Sequence, residues 1–166
     1  RRLGVDDRGS AAIARHLMAA AGAGGMGGGQ WLDLLGEGKQ LDAGELGELH
    51  GRKTGALLAA SLVVGAMAAG ASGTQRDAFQ EYGTAIGLAF QIADDILDAT
   101  ASAEELGKNP SDAELDKSTY VALHGLEGAR QEARQLVDRA LAGLSGADIR
   151  SEPLEALARY VVERER

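Results

Sequence analysis

The chain has no cysteine, which excludes disulfides and thiolate metal sites and leaves the redox compartment unmarked. Positive charge is also in short supply: 17 Lys and Arg stand against 25 Asp and Glu, for a formal net charge of −8. A general nucleic-acid binder needs a basic surface, so nucleic acid is not an expected partner, and any bound anion has to sit in a local cationic pocket. Aromatic residues amount to only 4%. No run reaches the roughly 18 apolar residues that a bilayer span requires. Even the greasiest segment, Thr54 to Ala71, is dominated by Ala and Gly. With no signal-like N-terminus, the expectation is a soluble cytoplasmic protein.

Small and aliphatic residues are abundant. Of the 166 residues, 45% are hydrophobic and 25% charged, which is ordinary globular usage with a helical bias toward Ala and Leu. A chain of this length buries roughly 70% of its unfolded surface and suits one domain. Helical periodicity dominates and no segment alternates with period two, so the expected class is all-α. A first helix is expected from Ser10, as N-cap, through Ile13, Leu17 and Met18 toward the glycine-rich stretch Gly22 to Gly29. A second covers about Asp42 to Gly70 and a third about Thr74 to Ala99. A loop around Gly107 to Ser111 follows, because Gly and Asn-Pro break helices. A fourth spans about Ser118 to Leu144, and a short last helix starts after Ser151 with Pro153 in its first turn. Several of these helices are apolar nearly all round, as helices in the middle of a larger assembly are.

Gly22-Ala23-Gly24-Gly25-Met26-Gly27 matches the G-x-G-x-x-G dinucleotide fingerprint, which has meaning only after a strand and before a helix. An Ala-rich helix precedes it here. The glycines are better read as places where helices approach closely or backbone makes room for a ligand. His16, His50 and His124 are widely spaced, show no ligand pairing, and are read as structural or surface residues.

The segment Gly87 to Asp98 places Asp94, Asp95 and Asp98 inside an apolar helix. Residues three and four apart are neighbours on a helix, so Gln91, Asp94 and Asp98 are expected to form one polar stripe, with Asp95 flanking it. Several buried carboxylates together need a compensating cation, and an all-oxygen set suits magnesium shared with substrate phosphates. The plainer reading is a helix end near solvent. Three lysines decide between them: Lys53, ahead of the apolar run from Leu57 and beside Thr54, and Lys108 and Lys117, which bracket the loop after Asp98. Each alone reads as a solvated surface lysine. As a set with the acids they suit a diphosphate, its charge balanced by metal on one side and ammonium groups on the other.

These pieces occur in one order: Gly27 to Gln30 with Leu32-Asp33-Leu34, His50 to Leu57, Gly87 to Asp98, Leu106-Gly107-Lys108, and Asp116 to Tyr120 before Gly125-Leu126-Glu127. In that order the chain resembles the C-terminal part of a trans-isoprenyl diphosphate synthase, most nearly the bacterial farnesyl diphosphate synthase type. The resemblance covers nearly the whole chain, residues 1–166 then being the C-terminal part of a single isoprenoid synthase domain. It implies an antiparallel helix bundle, lacking here its N-terminal helices, and a homodimer. The implied reaction is the Mg2+-dependent head-to-tail condensation of an allylic diphosphate with isopentenyl diphosphate. By the same resemblance Asp94, and less directly Asp95 and Asp98, bind the metal. Lys53, Lys108 and Lys117 clamp the allylic diphosphate, and Thr54 and Gln91 lie beside the reacting carbon.

Two departures accompany the resemblance. The first aspartate-rich motif has no counterpart, since Asp6-Asp7 lacks a third Asp and Arg1-Arg2 lacks preceding acids; without an added N-terminal portion the chain is expected to be inactive. Asp116 stands where the family often has Gly before the lysine. A farnesyl product is expected, with a geranylgeranyl diphosphate synthase as the alternative. A noncatalytic subunit of a heteromeric synthase would not need the retained acids and lysines, and a terpene cyclase would carry an Asn/Ser/Glu metal motif that is not visible here.

Overall fold

The computed structural model describes residues 5–105 and 118–164, and every regular element among them is helical. In chain order they are α1 (Asp7–Ala21), α2 (Met26–Gly36), α3 (Ala43–His50), a π-helical turn (Gly51–Gly55), α4 (Ala56–Ala68), α5 (Gly73–Glu105), α6 (Tyr120–Gly146) and α7 (Glu152–Glu163). No helix among the described residues is long and apolar enough to cross a membrane.

Helix α5 is the axis of the packing. Against α6 it runs antiparallel, since Asp95 meets the start of α6 at Tyr120 while Glu81 lies beside Gly143 near its end. Against α4 it is antiparallel too, through Gly87 on Gly55 and Gly83 on Ala59. A Cβ at Gly87 would stand 2.7 Å from Gly55 Cα, and one at Gly83 2.4 Å from Ala59 Cα. These bare positions let the two backbones touch. On the other side Tyr82, Ile86, Ala89 and Ile92 pack with Ala129, Ala133, Leu136, Val137, Ala140 and Leu144 of α6, and Ala158 and Val161 of α7 close the core. The buried Tyr82 hydroxyl donates to the Leu154 carbonyl at 2.7 Å, fixing the first turn of α7.

Helix ends follow local chemistry. Asp42 and Glu45 form a reciprocal capping box at α3. Thr119 caps α6 by accepting from Ala122 N at 3.1 Å, and Ser151 caps α7, with Pro153 in the first turn as expected. Three expectations need correction. The first helix starts at Asp7, because Asp6 accepts from Gly9 N at 2.7 Å and takes the capping role assigned to Ser10. The second is not uniform, since a π-helical turn interrupts it at Gly51–Gly55. The third runs on past Ala99 to Glu105. An additional helix, α2, lies where the glycines read as an interruption; its glycines serve contact rather than propensity.

Candidate active site

Gly29 of α2 sits directly on the backbone of the π-helical turn. A Cβ there would lie 2.2 Å from Lys53 N, so only glycine permits this approach. One turn further along α2, Asp33 Oδ2 receives a hydrogen bond and ion pair from Lys53 Nζ at 2.6 Å, with about a third of each side chain exposed. The π-helical turn adds one residue to the helical repeat and rotates its side chains relative to the α-helices on either side. It presents Lys53 to a cleft of about 520 Å³, while Thr54, half-buried on the same turn, is not among the residues lining it.

Further lining comes from α5. Gly87 fixes the register of α5 on the π-helical turn, and Gln91, four residues later, faces the same way. Gln91, Asp95 and Asp98 line the cleft with Asp33, His50 and Lys53, and Ser118 and Thr119 close one end. Asp95 Oδ2 accepts from the Tyr120 backbone N–H at 2.8 Å and so holds the short first segment of α6, ahead of the break in helical backbone at Gly125 (φ 70°). Ser118 accepts from Leu41 N at 2.8 Å and so ties the α2–α3 connection to the entry of α6. The Tyr120 ring is buried 6.1 Å from the His50 and His124 rings. Burial, with help from the Glu132 and Asp95 carboxylates, pushes its phenol up to about 12.

Asp94 lies against Gln91, as the expected stripe has it, but is not among the residues lining the cleft. Its Oδ1 is ion-paired with Arg164 Nη2, and its Oδ2 accepts from Gln91 Nε2 at 3.4 Å. Positions 94 and 95 both neighbour position 91 on a helix, so spacing alone could not choose between them; Arg164 draws one carboxylate and the α6 amide draws the other. No three His, Cys, Asp or Glu side chains among the described residues converge as a ready-made metal cage. Lys108, Lys117, Asp116 and the expected loop at Gly107 to Ser111 lie outside the described residues. Sequence reasoning passed over Asp33, His50 and Arg164 as site residues. Asp33 had a signal, its place beside the Gly27 to Gln30 run; the contact of Arg164, 70 positions from Asp94, had none.

The polyprenyl synthetase family model matches residues 14–152. The chain belongs to that family. A farnesyl diphosphate synthase of Escherichia coli K12 is 44% identical over 165 residues, covering 96% of this chain and 55% of that protein. Among solved structures, the apo form of a FPP/GFPP synthase from Zymomonas mobilis superposes with a TM-score of 0.78 at 36% identity, over 94% of this chain and 52% of that one. A geranyltransferase from Helicobacter pylori complexed with magnesium and isoprenyl diphosphate gives 0.74 at 32% identity, over 96% and 52%. The chain thus spans about half the length of these polyprenyl synthetase relatives. The matched stretch, residues 14–152, takes in every residue that lines the cleft.

Proposed function

We propose that this chain provides the allylic-diphosphate half of a prenyltransferase site, which condenses an allylic diphosphate head-to-tail with isopentenyl diphosphate to give farnesyl diphosphate. The observation that carries the reading is the cleft itself, which the Lys53 ammonium lines together with the carboxylates of Asp95 and Asp98. An ammonium and hard carboxylates around one open cleft suit a diphosphate held with a divalent cation.

The residues fit magnesium. Its sites commonly use one or two carboxylates, several waters and substrate phosphate oxygens rather than an all-protein cage, and the cleft offers two hard carboxylates. Asp94, Asp95 and Asp98 would hold it, the last two from the lining of the cleft. When bound, the metal neutralises diphosphate charge and eases departure of the leaving group.

In the reaction the allylic C–O bond breaks with its electron pair leaving on diphosphate. The isopentenyl double bond then attacks the allylic cation, and a proton is lost to restore the alkene. Lys53 pairs with a diphosphate oxygen and stabilises the charge that builds there, exchanging Asp33 for the ligand. Gln91 presents its side-chain oxygen to the developing cation. Lys108 and Lys117 complete the diphosphate clamp, and Thr54 supplies a hydroxyl beside Lys53. Residues 1–166 function as part of one isoprenoid synthase domain, in a cytoplasmic homodimer.

The test, made on the chain completed by an N-terminal portion that supplies the first aspartate-rich motif, is condensation of geranyl and isopentenyl diphosphates with Mg2+, followed by chromatography of the dephosphorylated products. A fifteen-carbon alcohol, lost on chelation and abolished or severely reduced by Asp94→Ala, is the expected result. A twenty-carbon product would revise the chain length, and wild-type turnover in Asp94→Ala would remove Asp94 from the site.

A further inference from the structure

Asp94 heads the run of acids on α5, yet Asp95 and Asp98 line the cleft and Asp94 does not. Both of its carboxylate oxygens are engaged, Oδ1 by the Arg164 guanidinium and Oδ2 by Gln91 Nε2 at 3.4 Å. Arg164 is itself held at three points. Besides the ion pair, its Cζ stands 4.2 Å over the Phe90 ring centroid and its Nη2 donates to the Phe90 carbonyl at 3.4 Å. Its side chain is 19% exposed, against 40% for Asp94. A guanidinium stacked on a ring, paired with a carboxylate and partly desolvated is no loose surface charge. Its backbone N–H closes α7 on the Tyr160 carbonyl at 3.0 Å, so the guanidinium is anchored to the end of that helix.

We propose that Arg164 is a resident counter-cation for Asp94, and that a divalent metal recruits this carboxylate only by displacing the guanidinium. The proposal rests on the metal reading above. Asp95 and Asp98 line the cleft, whereas Asp94 is held by Arg164 and Gln91. Arg164 is therefore a positioning residue that sets metal affinity, and metal uptake by Asp94 releases the end of α7 from Phe90.

Mn2+ alone is the probe, titrated into the intact protein without substrate and followed by loss of the free-ion electron paramagnetic resonance signal. Arg164→Gln is expected to tighten Mn2+ binding by roughly twofold to fivefold, the scale of one partly exposed competing ion pair. Arg164→Lys, which keeps charge without the planar fork, should fall between that variant and wild type, and it carries the test if the Gln variant loses helical circular dichroism. In an Asp94→Asn background the Arg164 substitution should have no further effect, which separates displacement at Asp94 from a general loss of positive charge. Mn2+ binding that is unchanged or weakened by Arg164→Gln overturns the displacement while leaving the metal reading intact. Failure of the wild type to bind Mn2+, or undiminished binding in Asp95→Asn, overturns the metal reading, and this proposal with it.

Discussion

Lys53 Nζ meets Asp33 Oδ2 at 2.6 Å because Gly29, one helical turn before Asp33, lays α2 against the Lys53 backbone. The contact that orients the cationic wall of the cleft is thus made by an absent side chain four residues away. Gly29→Ala would drive a Cβ to 2.2 Å from Lys53 N. Overpacking of this kind costs roughly 1–3 kcal/mol, and for a domain of this size each kcal/mol lowers Tm by about 2–4 °C. Thermal unfolding followed by circular dichroism checks it; an unshifted Tm would show that α2 does not bear on the π-helical turn in solution.

Lys53 itself is expected to matter for ligand rather than for fold, since its side chain is a third exposed. Lys53→Ala should weaken binding of inorganic pyrophosphate with Mg2+ by roughly tenfold to a hundredfold, the scale of one hydrogen bond to a charged group. Titration calorimetry reads this directly. Unfolding temperature should move little.

Asp95 has two jobs that substitution can separate. It faces the cleft, and it accepts from the Tyr120 N–H at the start of α6. Asp95→Ala loses both and should destabilise the chain by about 0.5–2 kcal/mol, the usual cost of losing a helix cap. Asp95→Asn keeps an acceptor for the amide and loses the charge, so denaturant midpoints should stay near wild type while Mn2+ affinity falls. Equal destabilisation by the two variants would show that charge, not the hydrogen bond, holds α6.

The two buried tyrosines set an alkaline limit. Burial pushes the Tyr82 phenol up from 10.0 to about 12, and Tyr120 rises to about 12 for the same reason with carboxylates adding to it. A phenol whose folded value is raised favours the folded state fully below its unfolded value. That contribution should be present below pH 10 and lost as pH rises toward 12. Urea midpoints measured across that window should fall, and Tyr82→Phe should flatten the fall. At neutral pH the same substitution leaves the Leu154 carbonyl without its donor, at a cost of roughly 1–3 kcal/mol.

Much of this architecture was legible beforehand. The Asp42 and Ser151 starts, the all-helical class and the long α5 follow from capping chemistry and 3.6-residue periodicity, which are local. Helical spacing put Gln91 beside the three acids, and the resemblance carried by the order of motifs added Lys53 and the roles of all five as candidates. Helix α2 was missed because its glycines lower helix propensity, and what stabilises it is contact with a segment more than twenty residues away.

The amino-acid sequence by itself determined which residue types were available: acids within an apolar helix, a lysine ahead of another, and glycines wherever a Cβ would collide. Only the tertiary structure decided how they were shared out. Asp95 and Asp98 went to the cleft and Asp94 to Arg164, because the partners that make that choice, the α6 amide at Tyr120 and the guanidinium ending α7, lie 25 and 70 positions away. Periodicity places neighbours three or four residues apart; it carries no information about which distant charge folds back to meet them.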